Sequence, residues 1–336
     1  MDSDAHHHRA GSAAWSRLRP APSVLFARGA DAPNTSERTL HRLVERGELH
    51  RVRPGAFADP HSLRDADHRR RALAMTVAVV GTRRDRVVLS RESAALVWGL
   101  PRLGAWPAWV ELADIRGTSP RNRNGVRWCR TPVDAAEVVE VDGFRVTGLV
   151  QTLVDLACTR AFLNAVVALD AGLAEFVRSD AGLTVAGVHR AALLERLAEH
   201  GRRAGSRAAR EAIGFADGAA ESPGESLSRG RMHQLGFPAP TLQREFPRVD
   251  GLGVDRVDFD WEEYGVYGES DGAGKYLDPA QRGGRTAAQV VLDEKRRADR
   301  IRLGHGRDEV RWDWDTAMSP ERFRRTLLAA GLPIVR

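Results

Sequence analysis

Apolar residues recur along this chain at two spacings, every third or fourth position and every second position, and the switches between them mark its elements. The polar cluster Asn34–Ser36 caps a predicted helix with Leu40, Leu43 and Val44 on one side and Glu37 and Arg38 in its first turn. Gly47 stops it. The stretch ELHRVRPGAFADP then alternates apolar Leu49, Val52 and Phe57 with basic positions around a Pro-Gly turn, which predicts a short basic hairpin. HSLRDADHRRRALAMTVAVV begins polar and becomes a strongly apolar helix, and LSRESAALVWGL forms another short one. These elements predict a small α+β unit.

From Trp106 to Arg145 the spacing shortens to two, in WVELA, GVRWCR and VVEVDGFRV, and predicts a small sheet with a hairpin turn at Gly143. Helical periodicity returns from Thr147 to Asp170. The Gly-, Arg- and Ala-rich stretch 201–220 reads as a linker and as the main boundary. From Glu221 the order is helix, strand, strand, helix, strand, helix. The expected organisation is a flexible amino terminus over 1–30, a winged helix-turn-helix-like module over 31–104, a small mixed α/β domain over 105–200, the linker, and an α/β domain over 221–336.

Composition adds a partner class. The chain has 336 residues and a net charge of +6, with 51 Lys and Arg against 45 Asp and Glu, so nucleic acid is a natural partner. The apolar share of 42% supports folded domains. Two cysteines, Cys129 and Cys158, are too few for a disulfide framework and read as free thiols. No apolar run is long enough to span a bilayer and no signal peptide pattern opens the chain, so a cytoplasmic protein without a membrane partner is expected. The tract His6–His8 reads as incidental.

In a winged helix one helix enters the major groove while a β-hairpin lies along the phosphates. RTLHRLVERGELHRVRPGAFAD has that order, with Arg38 and Arg42 on the helix and Arg51 and Arg53 flanking Val52 on one strand face. An ordinary hairpin with a solvated basic face has the same pattern. From about Thr35 to Leu173, the helix-Gly-hairpin opening, LSRESAALVWGLPRLG and VDGFRVTGLVQTLVDLA resemble the amino-terminal part of actinobacterial AbiEi-family antitoxin-like proteins. That resemblance implies DNA binding, and by kinship a repressor that partners a toxin protein in an abortive-infection system.

The carboxyl-terminal third carries acids at strand-like spacing. Asp258 lies between Val257 and Phe259, while Glu269 and Asp271 are two apart and so share a face if their segment is a strand. Adjacent strands would bring the three together, and such acids would repel one another unless they serve a site. Phosphodiester hydrolysis with a divalent ion needs such converging carboxylates. Asp260, Glu262 and Glu263 read as solvated turn residues. The run Glu294, Lys295, Arg296, Arg297 reads either as the wet face of an amphipathic helix or as a contributor to the site. Trp312 and Trp314 are expected on opposite faces, one of them in the core.

Over about Glu221 to Leu332, and most specifically in GESDGAGKY followed by DEKRRADRIR, the chain resembles the very-short-patch-repair-like branch of the restriction-endonuclease-like superfamily. The resemblance implies a restriction-endonuclease-like α/β domain, with Glu225 as the early helix acid and Asp258, Glu269 and Asp271 as metal ligands. Lys275 or Lys295 would orient the water or stabilise the transition state, and Mg²⁺ or Mn²⁺ would be the cofactor. The sequence departs from that pattern where Asp271 stands in place of the usual lysine. Nor does a histidine lie near the glycine turn; His233 and His305 belong to other elements. Two functions follow as expectations: a DNA-binding protein with a metal-dependent endonuclease domain, or a non-catalytic repressor of the same build. An RNA-directed nuclease has the same sequence pattern.

Overall fold

The computed structural model describes residues 23–27, 37–83, 85–115, 117–118, 121–130, 133–199, 201, 203–248, 251, 253–271 and 287–335. The expected cap at Asn34–Ser36, the His6–His8 tract, most of the flexible amino terminus and Lys275 lie outside them. The chain divides into two compact units, one of Met1–Arg160 with Glu175–Gly214, the other of Ala161–Ala174 with Phe215–Arg336.

The first unit opens with β1 (Val24–Phe26), α1 (Glu37–Glu45), β2 (His50–Arg53) and β3 (Ala56–Ala58), followed by α2 (Pro60–Asp65) and α3 (His68–Gly81). Leu40 of α1 and Phe57 of β3 are both buried, and the edge of His41 packs on the Phe57 ring at 6.5 Å. Gly47, at φ +74°, ends α1 as expected. The hairpin turns at Pro54–Gly55, and β3 lies in the middle of an antiparallel sheet of order β1-β3-β2. Asp59 and Asp67 cap α2 and α3, Asp67 accepting the Arg70 amide at 2.8 Å. A side chain at Gly81 would meet the Phe26 ring at 2.3 Å, so this glycine lets β1 lie against α3.

Next come α4 (Arg91–Val97), the parallel pair β4 (Val110–Ala113) and β5 (Val126–Cys129), and the hairpin β6 (Val138–Val141) and β7 (Phe144–Thr147). The hairpin turns on Asp142 and Gly143, both at positive φ (51° and 81°), the backbone a two-residue turn of this hand demands. The apolar α5 (Leu149–Thr159) follows. After an excursion of the chain into the second unit come the β8 (Phe176–Arg178) and β9 (Thr184–Ala186) hairpin and α7 (Arg190–Glu199). Both cysteines are free. Burial pushes the Cys129 thiol up to about 11.

The excursion is α6 (Phe162–Leu173), which the sequence pattern assigned to the mixed domain. Its Asp170 is fully buried and is bound through both carboxylate oxygens by Arg229 at 2.8 Å, with the Asp217 amide at 2.7 Å. Burial raises the Asp170 carboxyl above the usual range against the pull of Arg229. The expected linker 201–220 is not bare connection. It carries α8 (Ser206–Phe215), with Ala209, Ala212 and Ile213 buried, because small side chains permit close packing that a search for large apolar residues misses.

The second unit continues through α9 (Pro223–Leu235), β10 (Thr241–Pro247), β11 (Val254–Trp261), β12 (Val266–Asp271), α10 (Ala287–His305), β13 (Asp308–Asp313), α11 (Trp314–Met318) and α12 (Pro320–Ala329). The four strands form one sheet in chain order. The first two pairings are antiparallel, and α10 carries the chain over to make β13 parallel to β12. Trp312 is buried against Phe259 and Phe323, and its ring nitrogen donates to Ser228 at 2.8 Å; Trp314 is exposed at the start of α11. Among the described residues no helix is long and apolar enough to cross a membrane.

The Asp170–Arg229 pair predicts a large asymmetry. Arg229→Ala should cost about 3–5 kcal/mol in urea unfolding because it leaves a buried carboxylate uncompensated, and adding Asp170→Asn should restore a substantial part. Equal losses in the single and double variants would contradict this.

Candidate functional site

The acids singled out from sequence fall into two groups. Glu225 begins in the cap of α9, where Ser222 Oγ accepts the Glu225 amide at 3.2 Å and donates to its carboxylate at 2.7 Å. The other carboxylate oxygen accepts the Glu221 amide at 2.9 Å and the Gln243 side-chain amide at 2.8 Å. Gln243 reaches it from an unusual backbone, φ +52° in mid-strand, where a non-glycine residue is uncommon and strained. Gly224 lies close by, where a β-carbon would come within 3.0 Å of Ser270 Oγ, so a larger residue would need that side chain to shift.

Asp258 lies where β11 and β12 part. Their ladder runs through Trp261↔Val266, Asp260↔Tyr267 and Phe259↔Gly268, and at the next step the Asp258 carboxylate accepts the Ser270 amide at 2.9 Å. A side chain thus takes the place of a ladder acceptor. Burial pushes the Glu225 carboxyl above its ordinary range, and the Asp258 charge pushes it further, against the opposing hydrogen bonds. The Asp258 charge at the fork is thus felt by the Glu225 carboxyl.

Glu269 and Asp271 share a face, as the alternation of a strand requires, but each is held by an arginine. Arg297 of α10 reaches buried Glu269 at 3.0 Å, and Arg311 of β13 grips Asp271 through two bonds of 2.9 and 2.6 Å. Burial opposes the Arg297 charge, yet Glu269 outweighs it and raises the pKa; for Arg311 the bond to Asp271 is the chief cause of a similar rise. Arg311 also lies 3.3 Å from Glu294. The expectation that these acids must otherwise repel one another is corrected: the offsetting charges are guanidinium groups from later in the chain.

The same device recurs across this sheet. Asp255 is buried and bound by Arg300 at 2.8 and 2.7 Å and by Arg248, and the Arg300 bonds hold its carboxyl below the usual range. Asp260, expected as a solvated turn residue, is a buried strand residue paired with Arg307 at 3.2 Å; Glu262 and Glu263 are exposed as expected. In the run 294–297, Arg297 turns inward while Lys295 and Arg296 stay exposed. Lys295 is thus exposed to solvent on α10.

A divalent ion was expected at Asp258, Glu269 and Asp271. The described arrangement does not fit one, because two of the three acids already carry a full guanidinium charge, and an added dication would have to displace it. Among the described residues no group of three or more His, Cys, Asp or Glu side chains could hold a metal ion.

The basic positions of the first unit have different settings. Arg38 and Arg42 are exposed four residues apart on one face of α1, and Arg51 is exposed on β2. Arg53 is half-buried, and its Nε and Nη1 are shut from water with no hydrogen-bond partner among the described residues. Alternation was expected to put Arg51 and Arg53 on one strand face, but the ladder is irregular between them, Arg51 pairing with Phe57 and Arg53 with Ala56, so the two stand on different faces.

No known protein family matches the chain. Two curated Mycobacterium tuberculosis proteins, uncharacterized protein MT2308 of strain CDC 1551 and uncharacterized protein Rv2248 of strain H37Rv, are each 35% identical to it over 132 residues. The match covers 35% of this chain and 48% of each relative, so the chain spans about half the length of the curated relatives it matches. A solved structure, the RV2827C protein from Mycobacterium tuberculosis, aligns over 65% of this chain and 79% of its own at 18% identity and a TM-score of 0.36.

The raised Glu225 carboxyl predicts a pH signature. Folding raises the Glu225 pKa, so the stability it contributes is full below the unfolded value and is lost as pH rises through the folded one. Glu225→Gln keeps the shape and removes the charge. It should melt above the native protein at neutral pH, with the gap closing below about pH 4. A gap independent of pH would contradict a raised Glu225 carboxyl.

Proposed function

We propose that the chain is a DNA-binding protein in which a winged-helix module is joined to a nuclease-like domain that binds rather than cuts. The observation that carries the reading is the sheet of order β1-β3-β2 with α1 set between β1 and the hairpin in the chain. A winged helix has that sheet order, with the hairpin's second strand in the middle and a recognition helix directly before the hairpin. It supports a role for α1 in the major groove and for the β2–β3 hairpin along the phosphates. Exposed Arg38, Arg42 and Arg51 then supply phosphate contacts, which fix affinity but carry no sequence information.

The order α9, β10, β11, β12, α10, β13 supports a restriction-endonuclease-like relationship for the second unit. The arginines on Glu269 and Asp271 favour a domain whose site no longer gathers a metal, and so favour the repressor over the endonuclease. Repression of an operon with a toxin protein as partner is the biological role that the antitoxin-like resemblance suggests. One observation favours the catalytic alternative, the Glu225–Asp258 pair at the fork.

Duplex DNA should bind with an affinity that falls as salt rises, and Arg42→Glu with Arg51→Glu should weaken binding to unrelated sequences alike. For every phosphate that a variant no longer neutralises, the slope of log affinity against log salt should fall by about 0.9. Salt-independent binding, or none, would overturn the winged-helix reading. Incubation of supercoiled, mismatched and single-stranded DNA with Mg²⁺ or Mn²⁺ should leave them intact; cleavage that Asp258→Ala abolishes would establish the endonuclease instead.

A further inference from the structure

The stretch RNRNGVRWCR, residues 121–130, holds four arginines and no acid, and all four are exposed. Asn124 and Gly125, at φ +52° and +72°, turn the chain back on itself, so that Arg123 and Val126 exchange backbone hydrogen bonds of 3.2 and 3.0 Å. On the same edge the Asn122 side chain accepts the Trp128 amide at 2.8 Å, while the other edge of β5 pairs with β4. A tight basic hairpin thus borders this sheet, with Arg121 and Arg123 before its turn and Arg127 and Arg130 after it.

Printed on the end of α3 are two contacts that set this hairpin beside the β2–β3 hairpin: a β-carbon on Gly55 would lie 3.5 Å from Thr82 Cγ2, and the next residue, Arg83, holds its guanidinium over the Trp128 ring, 5.2 Å from the centre. Farther back on α3, Met75 Sδ is 3.9 Å from where a β-carbon on Gly125 would stand. Both hairpins therefore rest on one helix. On the strand after the second turn, the Arg127 guanidinium lies 3.9 Å from the centre of the Trp109 ring, and Trp109 is 38% exposed. Glu111, the ladder partner of Arg127, turns a carboxylate oxygen to the Glu92 amide at 3.0 Å. Arg121, Arg123 and Arg127 make no ion pair or side-chain hydrogen bond among the described residues.

Exposed guanidinium groups with no acid of their own are the charge complement of a polyanion, and their planar forks match phosphate oxygens. Stacking on an indole fixes the plane of a guanidinium while its N–H edges face water. We infer that the 121–130 hairpin is a second wing. Its Arg121, Arg123 and Arg127 bind backbone phosphates of the duplex DNA that α1 and the β2–β3 hairpin engage, and Trp109 holds Arg127 in position. This rests on the DNA-binding reading above and extends its phosphate track from the first hairpin across the end of α3. Contacts of this kind fix affinity and orientation and carry no sequence information.

The test measures the affinity of the full chain and its variants for unrelated duplexes across salt concentrations, with melting temperature as the check on folding. Arg123→Ala with Arg127→Ala should lose about tenfold in affinity and lower the slope of log affinity against log salt by about 1.8, or about 0.9 for each phosphate. Both side chains are exposed, so the melting temperature should stay at its native value. Trp109→Leu should lose about threefold, and Trp109→Phe should recover it because a second aromatic ring restores the stack. Native affinity and slope in the double variant, while Arg42→Glu with Arg51→Glu weakens binding, overturn the second wing and leave the DNA reading standing. The reverse pattern upholds this hairpin as a duplex contact and removes α1 and the first hairpin from the interface. A preference for single-stranded oligonucleotide over duplex, or no binding of either, overturns the inference. Should the double variant fail to fold, Arg123→Gln with Arg127→Gln carries the comparison.

Discussion

Six of the acids withdrawn from water in this protein have a guanidinium group against them. Asp170 with Arg229, Glu92 with Arg160, Asp255 with Arg300, Asp260 with Arg307, Glu269 with Arg297 and Asp271 with Arg311 repeat one solution to one problem. An unpaired charge withdrawn from water costs several kcal/mol, so the position of each acid determines where an arginine must end up. In the second unit these pairs tie α10 and β13 to the sheet and α6 to α9. The apolar core around Phe246, Val257, Tyr267 and Ile301 supplies burial; the ion pairs tell each helix which register to take.

That constraint changes how the positive charge should be understood. Much of the arginine content is internal, neutralising acids of the same unit, and is not offered to a partner. Among the basic groups outside these pairs, Arg38, Arg42 and Arg51 stand in water.

The fork at Asp258 obeys a different rule. Where two strands diverge, a backbone donor loses its ladder partner, and a side-chain acceptor must replace it. Asp258 does so for Ser270, while the strained Gln243 backbone sends an amide to Glu225. The resulting acidic pair is held in place by hydrogen bonds, whereas Glu269 and Asp271 are neutralised by cations. Acids that look alike in sequence have thereby acquired two chemical characters.

Local pattern made several features legible. Gly47 and the Asp142–Gly143 turn announced themselves because a left-handed backbone favours very few residues, and the apolar run of α3 and the helical periodicity of α5 marked core helices. Glu269 and Asp271 could be assigned one face because strand alternation is a matter of covalent geometry. The helix in 201–220 was hidden because alanines pack without large apolar side chains, and Asp260 looked wet because an acid beside a turn carries no mark of the distant Arg307 that buries it. By itself the sequence determined the elements, their faces and the supply of arginine. Only the tertiary structure decided which acid met which arginine, because those partners lie tens of residues apart and the free energy that pairs them exists only once burial has removed the water between them.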